Sequence, residues 1–166
     1  DRHAVRTVGA VSDITDERER EEALRLKDAA IHASLNGIAI ASLAGSLEYV
    51  NPAFLRLWGL SHPREAIGRA VLDFWEQPDD ARAVQDALAS GESWQGELTA
   101  QRADGSTFLV ALAASSVRDA HGNRERIMAS FVDITDRRIA QESLRQSEER
   151  FRALIENGLD LVLTLD

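Results

Sequence analysis

Glu48-Tyr49-Val50-Asn51-Pro52-Ala53-Phe54-Leu55-Arg56-Leu57-Trp58-Gly59 is the stretch on which the reading of this chain turns. Asn51 is a strong helix N-cap, and Pro52 follows at the first helical position, where its missing N–H costs nothing. A short strand, Leu47 to Val50, therefore hands over at once to a short helix. That helix carries Phe54, Leu57 and Trp58 on one face and stops at Gly59. Just upstream, Ile38, Ile40 and Ser42 alternate with smaller residues as a strand, turned by Ala44-Gly45 into the next one. The alternation predicts that Ile38 and Ile40 face inward.

Downstream, Ser61-His62-Pro63 opens another turn that Gly68 ends. Pro78-Asp79-Asp80 begins a longer helix with Ala81, Val84, Ala87 and Leu88 at helical spacing, and Gly91 supplies its cap. Three longer strands follow. Trp94, Leu98 and Ala100 alternate with polar residues, Asp104-Gly105 makes a hairpin turn, and Phe108 to Val117 is apolar on both faces. The last of these predicts a strand covered on both sides. His121-Gly122 then turns into Ile127 to Val132. Two strands, small helices, one longer helix and a three-strand antiparallel meander make an α+β fold rather than a doubly wound sheet.

The chain is internally repetitive. Asp13-Ile14-Thr15-Asp16 recurs as Asp133-Ile134-Thr135-Asp136, 120 residues later, and residues 13–35 share nine identities in twenty-three positions with 133–155. This divides the chain into the end of a preceding domain (1–15, with Val5, Val8, Val11 and Ile14 as a last strand), a charged helix (16–35), one complete domain (36–135), a second charged helix (136–156) and the opening of a further domain (157–166). In the second helix Ala140, Leu144, Ser147, Phe151 and Leu154 recur at alternating spacings of four and three, a short coiled-coil seam that predicts pairing between two chains. The first helix places Arg20, Leu24, Lys27, Ile31 and Ser34 at the same positions. There, a solvated helix laid on its own sheet weighs equally with pairing.

The 166 residues hold 28 acidic and 19 basic side chains, a formal net charge of −9. A phosphate-tracking surface needs clustered Lys and Arg, so no nucleic-acid partner is expected. With no cysteine there is no disulfide framework and no thiolate chemistry. The longest apolar run, Leu109 to Ser116, is far short of the roughly 20 residues that cross a bilayer, so no membrane contact is expected and a cytoplasmic location is read. The opening Asp1-Arg2-His3 has neither Met nor a signal-peptide pattern, and the chain is read as a piece of a longer protein.

Taken in order with their gaps, Glu48-Tyr49-Val50-Asn51-Pro52-Ala53-Phe54, Leu57-Trp58-Gly59, Ile67-Gly68-Arg69, Trp94-Gln95-Gly96-Glu97, Arg102-Ala103-Asp104-Gly105-Ser106 and Asp133-Ile134-Thr135 resemble a PAS domain with its PAC half, in tandem array. The resemblance implies a five-stranded antiparallel sheet curled around small helices, with a pocket between them and amphipathic signalling helices flanking it. It implies a sensor or relay module of a multidomain signalling protein, feeding a sensor histidine kinase or, as the alternative effector, a diguanylate cyclase. Asp133, Ile134 and Thr135, with Asp13 and Thr15 in the preceding copy, would pass the signal from strand end to helix. Homodimerisation through the helices, neighbouring PAS domains and a C-terminal effector in the same chain are the partners implied. A ligand-free dimerisation spacer and a flavin-binding redox sensor are the competing readings.

The resemblance also says which chemistry to look for. The light-sensing class forms a flavin adduct through a cysteine, where this chain has Val71 in Gly68-Arg69-Ala70-Val71. Ala100, Val110 and Phe131 stand where polar side chains would hold the ring, and Gln85 and Ala100 replace the tryptophan and asparagine of the redox class. The haem class needs a histidine on the long helix, and 79–90 has none. His3, His32, His62 and His121 are read as solvated, and none pairs at metal-site spacing. No phosphate-binding loop, nucleophile elbow, phosphoacceptor or ATP-binding segment is present, Asp79-Asp80 reads as a helix start, and Ser115-Ser116 has no histidine partner. No cofactor, no metal and no catalytic residue are nominated. The candidate pocket is the apolar set Ile40, Phe54, Trp58, Phe74, Val84, Leu88, Leu98, Ala100, Val110, Leu112, Ala129 and Phe131. Within the same interior the alanines Ala87, Ala100, Ala114 and Ala129 would leave room for a small apolar ligand, against the alternative of a fully packed core.

Overall fold

A computed structural model describes residues 8–163, with side chains from 17 to 155. Helix α1 (Val8–Ala33) leads into strands β1 (Gly37–Ser42) and β2 (Leu47–Val50) and helix α2 (Pro52–Trp58). Two 3₁₀ turns, Pro63–Glu65 and Val71–Phe74, precede α3 (Pro78–Ser90). Strands β3 (Trp94–Gln101), β4 (Thr107–Arg118) and β5 (Arg124–Asp133) form the meander, and α4 (Thr135–Leu163) closes the chain. The sheet is antiparallel throughout, in the order β2-β1-β5-β4-β3. This is the α+β architecture that the strand and helix signals predict.

The entry to α2 forms as its residues dictate. Asn51 is extended at φ −87°, ψ 169°, its side chain accepts the Phe54 N–H, and Gly59 ends the helix at φ +68°. Phe54 then stacks on Trp58 with ring centroids 4.1 Å apart, and Phe74, Phe108 and Phe131 meet the pair edge-on. The Trp58 indole N–H is satisfied by the Phe74 carbonyl at 3.2 Å. This aromatic cluster fills the α2 end of the interior.

It also decides which face of β1 turns inward. Gly37, Ala39 and Ala41 are the buried row, and Ile38 and Ile40 lie on the opposite, outer face, half-buried. A Cβ on Gly37 would stand 2.9 Å from Leu57 Cδ1 and 3.3 Å from the Phe131 Cβ, so the start of β1 has no room for a side chain on this face. Ile40 therefore leaves the predicted pocket set, and its inward place is taken by Ala41.

Three further expectations change. Strand β4 buries Phe108, Val110, Leu112 and Ala114, but Leu109, Ala111 and Ala113 on its outer face are only half-covered; the start of α4 reaches this face, where Arg138 pairs with Glu97 of β3. Val8, Val11 and Ile14, with Asp13 and Thr15, lie inside α1 rather than in a strand; Val5 is outside the described residues. A strand needs a neighbour to take up its ladder bonds, whereas a helix satisfies its own backbone, and neither sheet edge pairs with this segment. For the same reason residues 157–163 continue α4 instead of opening a new strand.

The two faces of β1 and α2 give opposite sensitivities to mutation. Trp58→Ala should cost about 3–5 kcal/mol in urea unfolding, as large core truncations do. Ile40→Ala, on the outer face, should cost well under half as much.

Candidate functional site

Beyond the aromatic cluster, at the α3 end of the interior, the core is not filled. A cavity of about 60 Å³ lies between α3 and the inner sheet face, lined by Ala41, Val71, Trp75, Ala81, Val84, Gln85, Leu88, Leu112, Ala114, Ile127 and Ala129. Its walls are small because alanines face one another across it: Ala41 from β1, Ala81 from α3, Ala114 from β4 and Ala129 from β5. Gln85 is the one polar residue among them. It crosses directly over Gly45, where a Cβ would lie 2.1 Å from its amide nitrogen.

The predicted pocket residues divide accordingly. Val84, Leu88, Leu112 and Ala129 line the cavity. Phe54, Trp58, Phe74 and Phe131 belong to the filled aromatic end, joined by the buried Ala100 and Val110 and the half-buried Leu98. Of the four alanines expected to leave room, Ala114 and Ala129 do so. Ala87 is only half-buried on α3, and Ala81, two turns earlier on the helix, takes its place. Trp75 and Ala41 were missed. Trp75 follows a 3₁₀ turn that has no legible periodicity, and its isolated bridge to Ala100 is a long-range pairing.

Strand β5 connects this cavity to the outgoing helix. At its start the Arg124 guanidinium donates to the Ala89 carbonyl in the last turn of α3 and, at 3.2 Å, to the Leu88 carbonyl, which also accepts the Gly91 N–H at 3.1 Å. Next, Arg126 pairs with Glu48 of β2 at 2.6 Å. Ile127 and Ala129 form the cavity floor, Phe131 enters the aromatic cluster, and Asp133 ends the strand.

The Asp133 carboxylate has two partners. One oxygen accepts the Thr135 N–H at 2.9 Å, at the start of α4. The other accepts from the Arg102 guanidinium, also at 2.9 Å. Arg102 in turn donates through Nε to the Leu57 carbonyl at 2.9 Å and lies over the Phe108 ring at 4.0 Å. The hairpin that presents it is held by Asp104, whose carboxylate accepts from the Ser106 hydroxyl and N–H and is kept below the ordinary carboxylate range by those bonds. Thr135 and Asp136 carry helix-start composition, yet it is Asp133 that supplies the cap. The Thr135 hydroxyl instead accepts the Leu109 N–H at 3.0 Å, and the Ile134 N–H donates to the Leu109 carbonyl. Residues 133–135 thus stitch the start of α4 to both β4 and the β3–β4 hairpin. Asp13 and Thr15, in the other copy of the motif, lie within α1, and this stitching is found at 133–135 alone among the described residues.

Ala140, Leu144, Ser147, Phe151 and Leu154 all lie exposed along α4; Leu144 is 62%, Phe151 66% and Leu154 71% accessible. The helix's ion pairs, Arg145 with Glu142 at 2.8 Å and with Glu149 at 3.0 Å, stand off the seam. No helix is long and apolar enough to cross a membrane, and no three His, Asp or Glu side chains gather as metal ligands, both among the described residues.

A flavin does not fit these residues. The cavity walls offer one polar side chain, Val71 has no thiol, and ligand pockets for ring systems of that size run about 300–1,000 Å³. Ala100, Val110 and Phe131, where ring-holding polar groups would be needed, are buried in apolar contacts.

The chain is 28% identical over 127 residues to Sporulation kinase A of Bacillus subtilis, covering 75% of this chain and 21% of that protein. It is 32% identical over 119 residues to the C4-dicarboxylate transport sensor protein DctS of Rhodobacter capsulatus, covering 68% and 18%. The chain spans about a fifth of the length of these curated relatives. Among solved structures, an RNA-binding light-oxygen-voltage receptor superposes with a TM-score of 0.65 at 25% identity, covering 77% of this chain and 38% of that one. The family model that matches residues 35–136, more than half the chain, is that of the PAS domain, and the chain belongs to that family.

Proposed function

We propose that this PAS domain is a relay module of a larger signalling protein, passing a change in its interior or at its dimer interface through β5 into α4. One observation carries the reading. A single strand caps α3 at one end, floors the cavity in its middle and caps α4 at the other. A change in how α3 sits on the cavity shifts Arg124, Ile127 or Ala129, and the stiff backbone ladder carries that shift to Asp133. There the carboxylate is shared between holding α4 and holding Arg102. Such a switch requires two arrangements of comparable energy, and the balance of these two bonds is where they would differ.

In this reading α4 pairs with α4 of a second copy along Ala140, Leu144, Ser147, Phe151 and Leu154, and reports to an effector in the same cytoplasmic chain. The similarity to a sporulation kinase and to a sensor protein favours a sensor histidine kinase as that effector, with a diguanylate cyclase as the alternative. Further PAS domains in array extend the same logic. The module itself has no catalytic role. The interior ligand would be a small apolar molecule of a few heavy atoms. An engineered apolar cavity of about 150 Å³ takes up benzene or xenon, which sets the scale.

Asp133→Ala should lower stability by about 1–2 kcal/mol, the sum of a lost cap and a half-exposed ion pair, and raise hydrogen exchange in the first turn of α4. In the parent protein it should change output while the sheet stays folded; unchanged output alongside a frayed helix would sink the relay. Leu144→Asp with Phe151→Asp should shift the chain to monomer in analytical ultracentrifugation with its circular dichroism kept. A wild-type chain that is already monomeric at high concentration would remove the pairing. Pressurised xenon should move the methyl resonances of Val84, Leu88 and Leu112, and Ala114→Ile should abolish the shifts; no shift in the wild type would favour the ligand-free spacer.

A further inference from the structure

Asn51 is fully buried, and its amide has no spare bond. The carbonyl oxygen accepts the Ile38 N–H at 2.8 Å and the Phe54 N–H at 2.9 Å. The amide nitrogen donates to the Ile31 carbonyl and to the Asn36 carbonyl, each at 3.0 Å. An amide offers two donor hydrogens and two acceptor lone pairs, and all four are used. One side chain therefore caps two helices. Its oxygen starts α2, and its nitrogen takes up a carbonyl in the last turn of α1, where acceptors lack helical partners.

The rest of α1 touches the domain little. Its described side chains are exposed apart from the half-buried Ile31, and His32 meets Tyr49 at the surface, the rings edge-on at 6.3 Å and the Tyr49 hydroxyl 3.5 Å from the His32 Nδ1. Asn51 is the buried tether. Because the amide is rigid and planar, α1 cannot turn or slide at Ile31 without costing a bond at Asn36, Ile38 or Phe54, and each partner lost there is a buried polar group left unsatisfied. Phe54, whose N–H is held by Asn51, stacks on Trp58 and meets Phe131 at 5.5 Å, two residues before Asp133. On the other side Asn36 adjoins Gly37, which pairs with Phe131 across the sheet.

We infer that the Asn51 amide is the port through which the incoming helix α1 acts on the domain, so that the module transmits from helix to helix with its interior unchanged. The output half of this route rests on the β5-to-α4 reading above. Asn51 is a positioning residue. Asn51→Asp keeps an acceptor for Ile38 and Phe54 but sets a carboxylate oxygen against two carbonyls. Asn51→Ser, which keeps a cap for Phe54 and loses both donated bonds, serves if the aspartate does not fold.

The experiment is hydrogen exchange on the whole chain, comparing these variants with Asp133→Ala and with Leu98→Ala as a general core destabilisation. In the Asn51 variants, amides of residues 31–36 and of the first turn of α4 should both exchange about tenfold faster over and above any uniform rise read at Val110 and Leu112. Leu98→Ala should raise exchange across the sheet without that paired signature. Unaltered exchange at 31–36 would show that Asn51 is no tether. Faster exchange at 31–36 with α4 unmoved would overturn transmission while leaving the β5 reading intact, since Asp133→Ala would still fray α4. If Asp133→Ala leaves α4 unmoved as well, it is the β5 reading that has failed.

Discussion

The stack of Phe54 on Trp58 sets the terms for most of this structure. It is placed by the chain's own start signal, Asn51 followed by Pro52, which fixes where the helix begins and hence which residues share its inner face. Where α2 closes on the start of β1, Gly37 has no room for a side chain, and the inward row of the strand is Gly37, Ala39 and Ala41 with the isoleucines outward. Phe74, Phe108 and Phe131 close the rings' edges, so the α2 end of the interior is full. At the α3 end alanines from four elements face one another and leave about 60 Å³, while a larger and more open polar cleft runs outside Trp58 and Phe74 toward Arg102.

That division of the interior bears directly on the chemistry. An RNA-binding light-oxygen-voltage receptor shares the fold with a TM-score of 0.65. In this chain Ala100, Val110 and Phe131 are apolar and sit in the filled half of the interior. Changing ligand class in such a fold needs no change of topology, only different side-chain volume over the same strands.

Strand β5 gains its importance from the sheet order. In β2-β1-β5-β4-β3 it is central, bonded on both sides, and it is the last strand before α4. Its residues alternate between interior and exterior, yet both of its ends are tied to helices by charged side chains, Arg124 to α3 and Asp133 to α4. Asn51 does the corresponding work for the incoming helix α1 with a neutral amide. A buried amide with four satisfied bonds carries no unpaired charge into the core, whereas Asp133 and Arg102 stand at the rim where water still screens them. Both helices thus join the sheet through polar side chains, while their long exposed surfaces remain open for partners.

The sequence by itself determined what depends on local chemistry. The helix starts at Pro52 and Pro78, the stops at Gly59 and Gly91, the Asp104-Gly105 hairpin and the strand meander follow from residues acting on their own backbone neighbours, and the α+β class follows from their order. Tertiary structure decided what depends on the element opposite. Gly-Ile-Ala-Ile-Ala-Ser alternates correctly for a strand, but hydropathy alone puts the isoleucines inside, and the close approach of Leu57, Phe131 and Phe54 at Gly37 sets the opposite face inward. The cap of α4 went to Asp133 rather than to Thr135, because Arg102 and Leu109 arrive from distant strands to claim and orient those groups. The first copy of Asp-Ile-Thr is helical here, since a strand's hydrogen bonds belong to its neighbours and none of the described strands pairs with that segment.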